Sequence, residues 1–314
     1  MGLAEDVRAG DRLALARWLS WLEEEDPRGE DVLTELYPQT GLGHRIGVTG
    51  PPGSGKSTLV NQAVRWCRQH GPERVAVVAV DPSSPFSGGA ILGDRIRMRD
   101  LSGDPGVFIR SMASRGALGG LARRTAALVE ALIAGGHERI FIETVGAGQA
   151  EVDIASMADT TVVVEAPGMG DEIQAIKAGI LEIADVLVVN KADLPGAQAA
   201  VQALHVSLGL AKPPAGAWSP PILTTIAETG EGIEALMEAV NRHRDYLHSS
   251  GEGETRELAR ASSRLEAELR HTLTETFQRN LADGRFKAAV QAVFERRRTP
   301  AQAAADLIGE RAEA

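Results

Sequence analysis

The stretch Gly50-Pro51-Pro52-Gly53-Ser54-Gly55-Lys56-Ser57 decides the fold of this chain. An apolar run at 46–49 precedes it and a helical pattern at 58–64 follows it. This is the G-x-x-x-x-G-K-[ST] phosphate loop in its required setting, between a strand and a helix. Its glycines let the backbone curl until successive N–H groups face a phosphate, and the next helix adds its positive dipole end. The sequence therefore predicts a nucleoside triphosphate site. Lys56 would bridge the β- and γ-phosphates and the Ser57 hydroxyl would contact Mg²⁺. A glycine-rich turn that binds nothing is the alternative, and the ordered strand, loop, Lys-Ser pair and helix argue against it.

Composition narrows the class of protein. The 314 residues, 43% hydrophobic and 24% charged, suit one large domain with appendages or two domains. A net charge of −10 and an aromatic content of 4% argue against binding of nucleic acid. The single cysteine, Cys67, excludes disulfides and a CxxC metal site and suits a reducing cytosol. The start of the chain lacks the features of a signal peptide, and no apolar run reaches membrane-spanning length. We therefore expect a cytoplasmic protein that binds neither nucleic acid nor a membrane.

Strand-like apolar runs alternate with helical patterns from residue 44 onward. These runs cover 45–49, 74–80, 107–110, 139–143, 160–165, 185–189 and 222–226. Several are continuously apolar, as strands are when helices cover both faces of a parallel sheet. The expected fold is therefore α/β, a phosphate-loop NTPase with a mostly parallel sheet, flanked by N- and C-terminal helical extensions. In such sheets ligands bind at the carboxyl ends of the strands.

Acidic residues follow two of the predicted strands where a bound Mg²⁺ would lie. Asp81 ends the second strand, although its Pro-Ser-Ser-Pro context also suits an ordinary turn. Asp94 is a second candidate metal or water-positioning carboxylate. Glu143 ends the fourth strand, where phosphate-loop proteins place the acidic residue that contacts Mg²⁺. With Gly146 it reproduces a D-x-x-G pattern with Glu for Asp, and the Gly146 N–H is a candidate donor to the γ-phosphate. Gln149 lies three residues past that glycine, so no residue is assigned to position the attacking water.

The second discriminating motif is Asn190-Lys191-Ala192-Asp193, an N-K-x-D at a strand end. Asp193 can accept from both N1–H and the 2-amino group of guanine, two donors that adenine lacks. A site built on such bonds rejects the analogue that lacks them. Asn190 would support the O6 side and the stem of Lys191 would lie along the base. The nucleotide is therefore predicted to be GTP. A further base contact is expected from Ile226, Ala227 and Glu228, where many GTPases have Ser-Ala and this chain has Ile-Ala, so the contact would come from a backbone N–H.

Helical patterns flank this region. Amphipathic spacing predicts helices over 3–25 and 30–37 before it, and over 254–283 and 286–298 after it. The expected domains are a helical extension at 1–40, the nucleotide domain at 41–248 and a helical dimerisation arm at 249–314. Two apolar-striped helices beyond a complete domain need a partner surface, and a homodimer is its simplest source.

The chain resembles the MeaB/ArgK family of GTPases. The residues that carry the resemblance, mostly within 45–235, are G-P-P-G-S-G-K-S-T, V-D-P-S-S, G-D-R-I-R-M, E-T-V-G-A-G-Q, P-G-M-G-D-E-I-Q-A-I-K and N-K-A-D. The resemblance implies a SIMIBI-type G domain in a homodimeric G protein. Such a protein gates adenosylcobalamin loading into an acyl-CoA mutase of the methylmalonyl-CoA mutase type, protects that enzyme, and has a cobalamin adenosyltransferase as a further candidate partner. It also implies cofactors and site residues. GTP or GDP would be held by Gly50 to Thr58, and Mg²⁺ would be surrounded by Ser57, Asp81, Asp94 and Glu143. A partner-sensing switch would contain Gly168, Asp171, Glu172, Gln174 and Lys177. For this last segment a capped connection, with Asp171 in a first helical turn, is the alternative.

Other functions were weighed against the residues. Nickel-insertion GTPases generally rely on Cys or His metal sites, whereas this chain has one cysteine and seven histidines, none at ligand spacing. A small-molecule kinase would have no use for N-K-x-D. The remaining alternative is a regulatory GTPase that acts on a non-cobalamin partner, as a nickel-insertion metallochaperone does.

Overall fold

A computed structural model describes residues 2–81, 98, 100–101, 103–113, 120–144, 155–168, 181–210, 216–279 and 284–309. Its strands are β1 His44–Thr49, β2 Val75–Asp81, β3 Val107–Ala113, β4 Arg139–Thr144, β5 Thr160–Glu165, β6 Val186–Asn190 and β7 Ile222–Thr225. Its helices are α1 Leu3–Arg8, α2 Arg12–Glu23, α3 Pro27–Leu36, α4 Lys56–His70, α5 Gly120–Ala134, α6 Ala197–Leu210, α7 Ile233–Ser250, α8 Glu252–Arg279, α9 Arg285–Phe294 and α10 Pro300–Gly309, with short 3₁₀ helices at Tyr37–Leu42 and Leu181–Ile183.

The strands form one seven-stranded sheet in the order β3-β2-β4-β1-β5-β6-β7. Every pair is parallel. Strands β1, β4, β5 and β6 are buried at every position, as expected for parallel strands covered on both faces. All seven predicted strands and the predicted fold class are confirmed, and the sheet is entirely rather than mostly parallel.

Helices cover the two faces of the sheet. On one face, α4 and α7 pack Leu59, Val64 and Met237 against Ile46 and Phe141. On the other, α1, α2 and α5 pack over β2 and β4, and α6 packs over β5 and β6. Side chains alternate between the two faces along each strand, so each face has its own apolar layer. The last residues of each strand lie just beyond these layers, at the carboxyl edge of the sheet. That edge is where the predicted motifs meet.

The single helix predicted over 3–25 is wrong, because the chain forms two helices there. Gly10 takes a positive φ of 83° that ends α1, and the Asp11 side chain accepts from the N–H groups of Leu13 and Ala14 to start α2. The next helix begins at Pro27, with Asp26 as its cap, rather than at 30. Trp18 is fully buried and donates from Nε1 to the Gly29 carbonyl at 2.9 Å, so it packs the helical extension.

By compactness the chain divides into Met1–Ala261 and Ser262–Ala314. Helix α8 begins at Glu252, one residue after α7 ends, because Gly251 turns the chain with a φ of 76°. Helix α9 ends at Phe294 and not at 298, and α10 at 300–309 was not predicted at all. The domain boundaries at 40/41 and 248/249 stay predictions. No helix within the described residues combines the length and apolar character needed to cross a membrane.

Candidate functional site: a guanine nucleotide pocket at the carboxyl edge of the sheet

The phosphate loop joins β1 to α4 and has the backbone geometry that its glycines were expected to provide. Gly50, Gly53 and Gly55 have positive φ angles of 138°, 79° and 95°. A Cβ on Gly50 would lie 2.1 Å from the Val164 carbonyl oxygen, so only glycine lets the loop pass this closely over β5. Between these glycines Pro52 is exposed, and Pro51 and Ser54 are buried.

Lys56 and the start of α4 bring positive charge to the loop. The Lys56 side chain is buried, and its Nζ donates to the carbonyl oxygens of Gly50 at 2.7 Å and Pro51 at 3.0 Å. No side chain caps α4, which begins at Lys56 directly after Gly55. The first N–H groups of an α-helix have no acceptor within the helix and carry its positive dipole end. Ser57 and Thr58 occupy the next positions of this first turn. The arrangement is a binding site for phosphate oxygens.

Oxygen-bearing side chains lie beside this helix end, on the face of the sheet that α4 covers. Ser57 is buried in the first turn of α4, and Glu143 is completely buried near the end of β4. Glu143 lies two residues after Phe141 and therefore on the same face of β4, the face that packs on α4. Hydroxyl and carboxylate oxygens suit Mg²⁺, so the donor set fits this ion. Asp81 ends β2 next to β4 in the sheet; its side chain, like all of Asp94, lies outside what the structure describes. Within the described residues no group of three or more His, Cys, Asp or Glu could hold a metal ion by itself.

Asn190 connects the three segments that form the base end of the site. Its Nδ2 donates to the Ser54 carbonyl at 2.8 Å, and its Oδ1 accepts from Thr225 Oγ1 and from the Ala227 N–H, both at 3.0 Å. The side chain is buried, and a Cβ on Gly55 would lie only 2.3 Å from Nδ2. Asn190 therefore holds the phosphate loop, the N-K-x-D turn and the 226–228 loop together. This is a positioning role, and the support of the O6 side expected from the sequence stays a prediction.

The residues expected to contact the base follow Asn190 directly. Lys191 is half-buried with a φ of 58°, an uncommon backbone conformation for a residue other than glycine. Asp193 is exposed in the turn between β6 and α6, where its carboxylate is accessible to a ligand. Ala192 is fixed by its N–H donating to the Thr225 carbonyl at 3.0 Å. On the neighbouring loop, Glu228 is exposed. The Ala227 N–H, a candidate donor to the base, donates to Asn190 in this structure.

Several predicted site residues fall outside the described residues. These are Asp94, Gly146, Asp171, Glu172, Gln174 and Lys177. Gly168 is described: it is exposed, with a φ of 86°, at the start of the segment predicted to sense a partner.

The edge also contains buried polar residues to which the sequence analysis gave no role. Thr49 ends β1, Thr144 ends β4 and Glu165 ends β5, and each is at most 3% exposed. Thr225 at the end of β7 holds Asn190. Their signal in the sequence is a polar residue that closes an apolar strand, which is recognisable once the strands are placed.

The motifs thus meet as in a phosphate-loop nucleotide site, and comparison with known proteins specifies the family. The family model described as "Methylmalonyl Co-A mutase-associated GTPase MeaB" matches residues 15–282. The chain belongs to the MeaB family. A putative GTPase of Pyrococcus abyssi is 42% identical over 308 residues, which cover 98% of this chain and 94% of that protein. The mouse protein named "Methylmalonic aciduria type A homolog, mitochondrial" is 40% identical over 216 residues, 67% of this chain and 51% of that protein.

A solved structure described as a LAO/AO transport system kinase has a TM-score of 0.73 and 26% sequence identity, over 99% of this chain and 97% of that one. The family resemblance predicted from the motifs is therefore confirmed. This MeaB-family chain is a GTPase: its relatives carry that name, and its fold is that of GTP-binding phosphate-loop proteins.

Proposed function

We propose that this GTPase is a chaperone for an adenosylcobalamin-dependent acyl-CoA mutase of the methylmalonyl-CoA mutase type, gating cofactor delivery and protecting or reactivating the enzyme. The observation that carries the proposal is the family match over 15–282, whose description names association with that mutase. The mouse relative, named for methylmalonic aciduria, supports the same link. A cobalamin adenosyltransferase is a further candidate partner. The protein is proposed to act in the cytoplasm, without a membrane or nucleic acid.

The geometry supports a division of work among the residues of the pocket. The backbone N–H groups of the loop at 50–58, together with Lys56, hold the phosphates. Asp193 selects guanine over adenine by accepting hydrogen bonds from N1–H and the 2-amino group of guanine. Ser57, Asp81, Asp94 and Glu143 would hold Mg²⁺, which supplies positive charge to neutralise the β- and γ-phosphate oxygens. The buried Asn190 keeps the phosphate loop and the base-reading turn in register. Catalysis is then mostly positioning and charge stabilisation. Gly146 and the segment from Gly168 to Lys177 would report the state of the nucleotide to the partner.

We also propose that the protein is a homodimer, because two helices have rows of exposed apolar residues. On α8, Leu265, Leu269 and Leu273 recur every four residues and are 55–71% exposed. On α9, Phe286, Val290 and Phe294 have the same spacing and are 52–79% exposed. Such a helical stripe normally packs against another apolar surface. Sedimentation of the protein at micromolar concentration tests this: a monomer at every concentration would refute it.

The test of the proposed function is GTP turnover by the purified protein, alone and with each cobalamin-dependent mutase of the same organism, apo and holo. We expect slow turnover alone, since no residue is assigned to position water, and acceleration by one mutase. Lys56→Ala is the control that separates this activity from a contaminating hydrolase. If GTP is hydrolysed but no mutase accelerates it, the mutase role is refuted. A regulatory GTPase with a non-cobalamin partner, of the nickel-insertion kind, then replaces it.

A further inference from the structure

The first turns of α8 contact the amino-terminal edge of the sheet, opposite the nucleotide pocket, and they do so through charge. Arg256 Nη1 and Nη2 both reach Asp185, with N–O distances of 3.1–3.2 Å. Arg260 donates to Asp159 Oδ1 at 2.5 Å and to the Ala158 carbonyl at 2.7 Å. Glu257 accepts from Arg45 Nη1 at 2.9 Å. Three side chains on one face of α8 thus meet three charged groups on the sheet.

These contacts are made by α8 side chains that are not buried. None of the α8 side chains that the structure describes is buried, and Leu258, within the contact region, is 73% exposed. By contrast, α7 joins the sheet through the buried apolar side chains of Ile233, Leu236 and Met237. The attachment of residues 252–260 therefore differs in kind from that of α7.

The two carboxylates on the sheet side of this contact keep other donors without α8. Asp185 accepts from the Thr161 N–H at 2.8 Å, and it lies 3.2 Å from His243 Nε2 on α7. Asp159 accepts from the Arg45 N–H at 2.8 Å. Both carboxylates are thus oriented and charge-stabilised by their own domain, so loss of an arginine on α8 would not leave them without a donor.

Buried polar contacts join β1, β5 and α7 at this edge. His44 Nε2 and His243 Nδ1 each lie 2.8 Å from Thr160 Oγ1, whose single hydrogen can serve only one of them. Burial lowers the pKa of His44 well below its usual value, so its imidazole is neutral. The surface on which α8 docks is therefore part of the nucleotide domain itself.

We propose that residues 252–260 are an electrostatic latch. Arg256, Glu257 and Arg260 dock α8 on the charged groups Arg45, Asp159 and Asp185 of the sheet, and they can release from these groups while the nucleotide domain stays folded. The release would expose Asp159 and Asp185 to water, where both are well solvated anions. The chain beyond Ala261 forms the second compact unit.

Hydrogen exchange read by mass spectrometry on the full chain tests the latch. The double variant Arg256→Gln/Arg260→Gln removes the α8 side of two pairs and retains helix propensity. The matched control is Arg270→Gln on the same helix, since Arg270 bonds only to Glu266 one turn earlier among the described residues. We expect exchange of the peptides covering 252–261 to accelerate at least about tenfold in the double variant, equivalent to about 1.4 kcal/mol. We expect no change in the control.

The peptides of β5 and β6 and the affinity for a fluorescent GDP analogue report whether the domain itself is intact. Both should be unchanged in the double variant. A milder variant, Glu257→Gln, loses the contact of a half-exposed side chain and should give a smaller acceleration at the same peptides. Unchanged exchange at 252–261 in the double variant would overturn the proposal. Acceleration that extends equally through β5 and β6 would also overturn it, because the arginines would then support the whole domain.

Discussion

Asn190→Ala is the sharpest test of the site, since one buried side chain joins three segments. Alanine would remove the bonds to Ser54, Thr225 and Ala227. The Thr225 hydroxyl can rotate to a new acceptor, but the Ser54 carbonyl and the Ala227 N–H are backbone groups in a buried setting. At about 1.5 kcal/mol for each unsatisfied group, the variant should lose about 3 kcal/mol of unfolding free energy. For a domain of this size that is a fall in Tm of about 6–12 °C.

The same loss should appear in nucleotide binding, because the bound state needs all three segments in register. We expect the Kd for GDP to rise about 10- to 100-fold, the equivalent of about 1.4–2.7 kcal/mol. The assays are urea unfolding and titration with a fluorescent GDP analogue. Thr229→Ala is the control: its hydroxyl donates to the Ile226 carbonyl on the same loop, but at an exposed position, so it should change stability by less than about 0.5 kcal/mol. If Asn190→Ala lowers the free energy of unfolding by less than about 1 kcal/mol and leaves the Kd for GDP unchanged, the role assigned to Asn190 is refuted.

Four further predictions address other parts of the molecule. Lys56→Ala should lower GTP turnover by at least about 100-fold, and normal phosphate release would remove the phosphate-loop assignment. Asp193→Asn should shift preference from guanine toward xanthine nucleotides in competition binding; unchanged GTP selectivity would contradict base reading by this carboxylate. Gly50→Ala should destabilise the domain by more than about 2 kcal/mol in urea, since its Cβ would meet the Val164 carbonyl at 2.1 Å and φ is 138°. Burial lowers the pKa of His137 from 6.5 to about 4. As the pH falls, His137 is therefore protonated at a higher pH in the unfolded chain than in the folded protein. The stability that His137 contributes as a neutral group should therefore fall as the pH drops from 6.5 to 4, and His137→Gln should flatten that part of the unfolding profile.

Local signals predicted the nucleotide half of the molecule because its chemistry lies in contiguous motifs. The phosphate loop and N-K-x-D each occupy a few consecutive residues at a strand end, and the strands themselves are continuous apolar runs. Where prediction of helices failed, the missing information was a cap. Asp11 divides the first amphipathic pattern in two. Thr299 and Gln302 exchange side-chain and backbone hydrogen bonds as a capping box that starts α10, and T-x-x-Q is its signal in the sequence.

The contacts that hold the two edges of the sheet could not be predicted in this way, because their partners are distant in the sequence. Asn190 and Ser54 are 136 residues apart, and His44 and Thr160 are 116 apart. From the sequence alone, the Asn of the N-K-x-D motif suggests a contact with the base. Only the fold shows that Gly55 is a glycine partly because the Asn190 amide occupies the space that a Cβ would take.

Strand β6 places two different kinds of attachment at its two ends. At its carboxyl end, the buried Asn190 makes three hydrogen bonds, and loss of two of them leaves a backbone group without a partner. Just before its amino end, Asp185 receives Arg256, which is 32% exposed, in a contact whose loss leaves the carboxylate with other donors. The first arrangement favours a single geometry, as base selection requires. In the second, water can replace the arginines as a partner of the carboxylates, so it favours an attachment that can open. An apolar seam under α8 would have fixed that helix permanently. The choice of arginine and glutamate there is what makes release of α8 compatible with an intact nucleotide pocket.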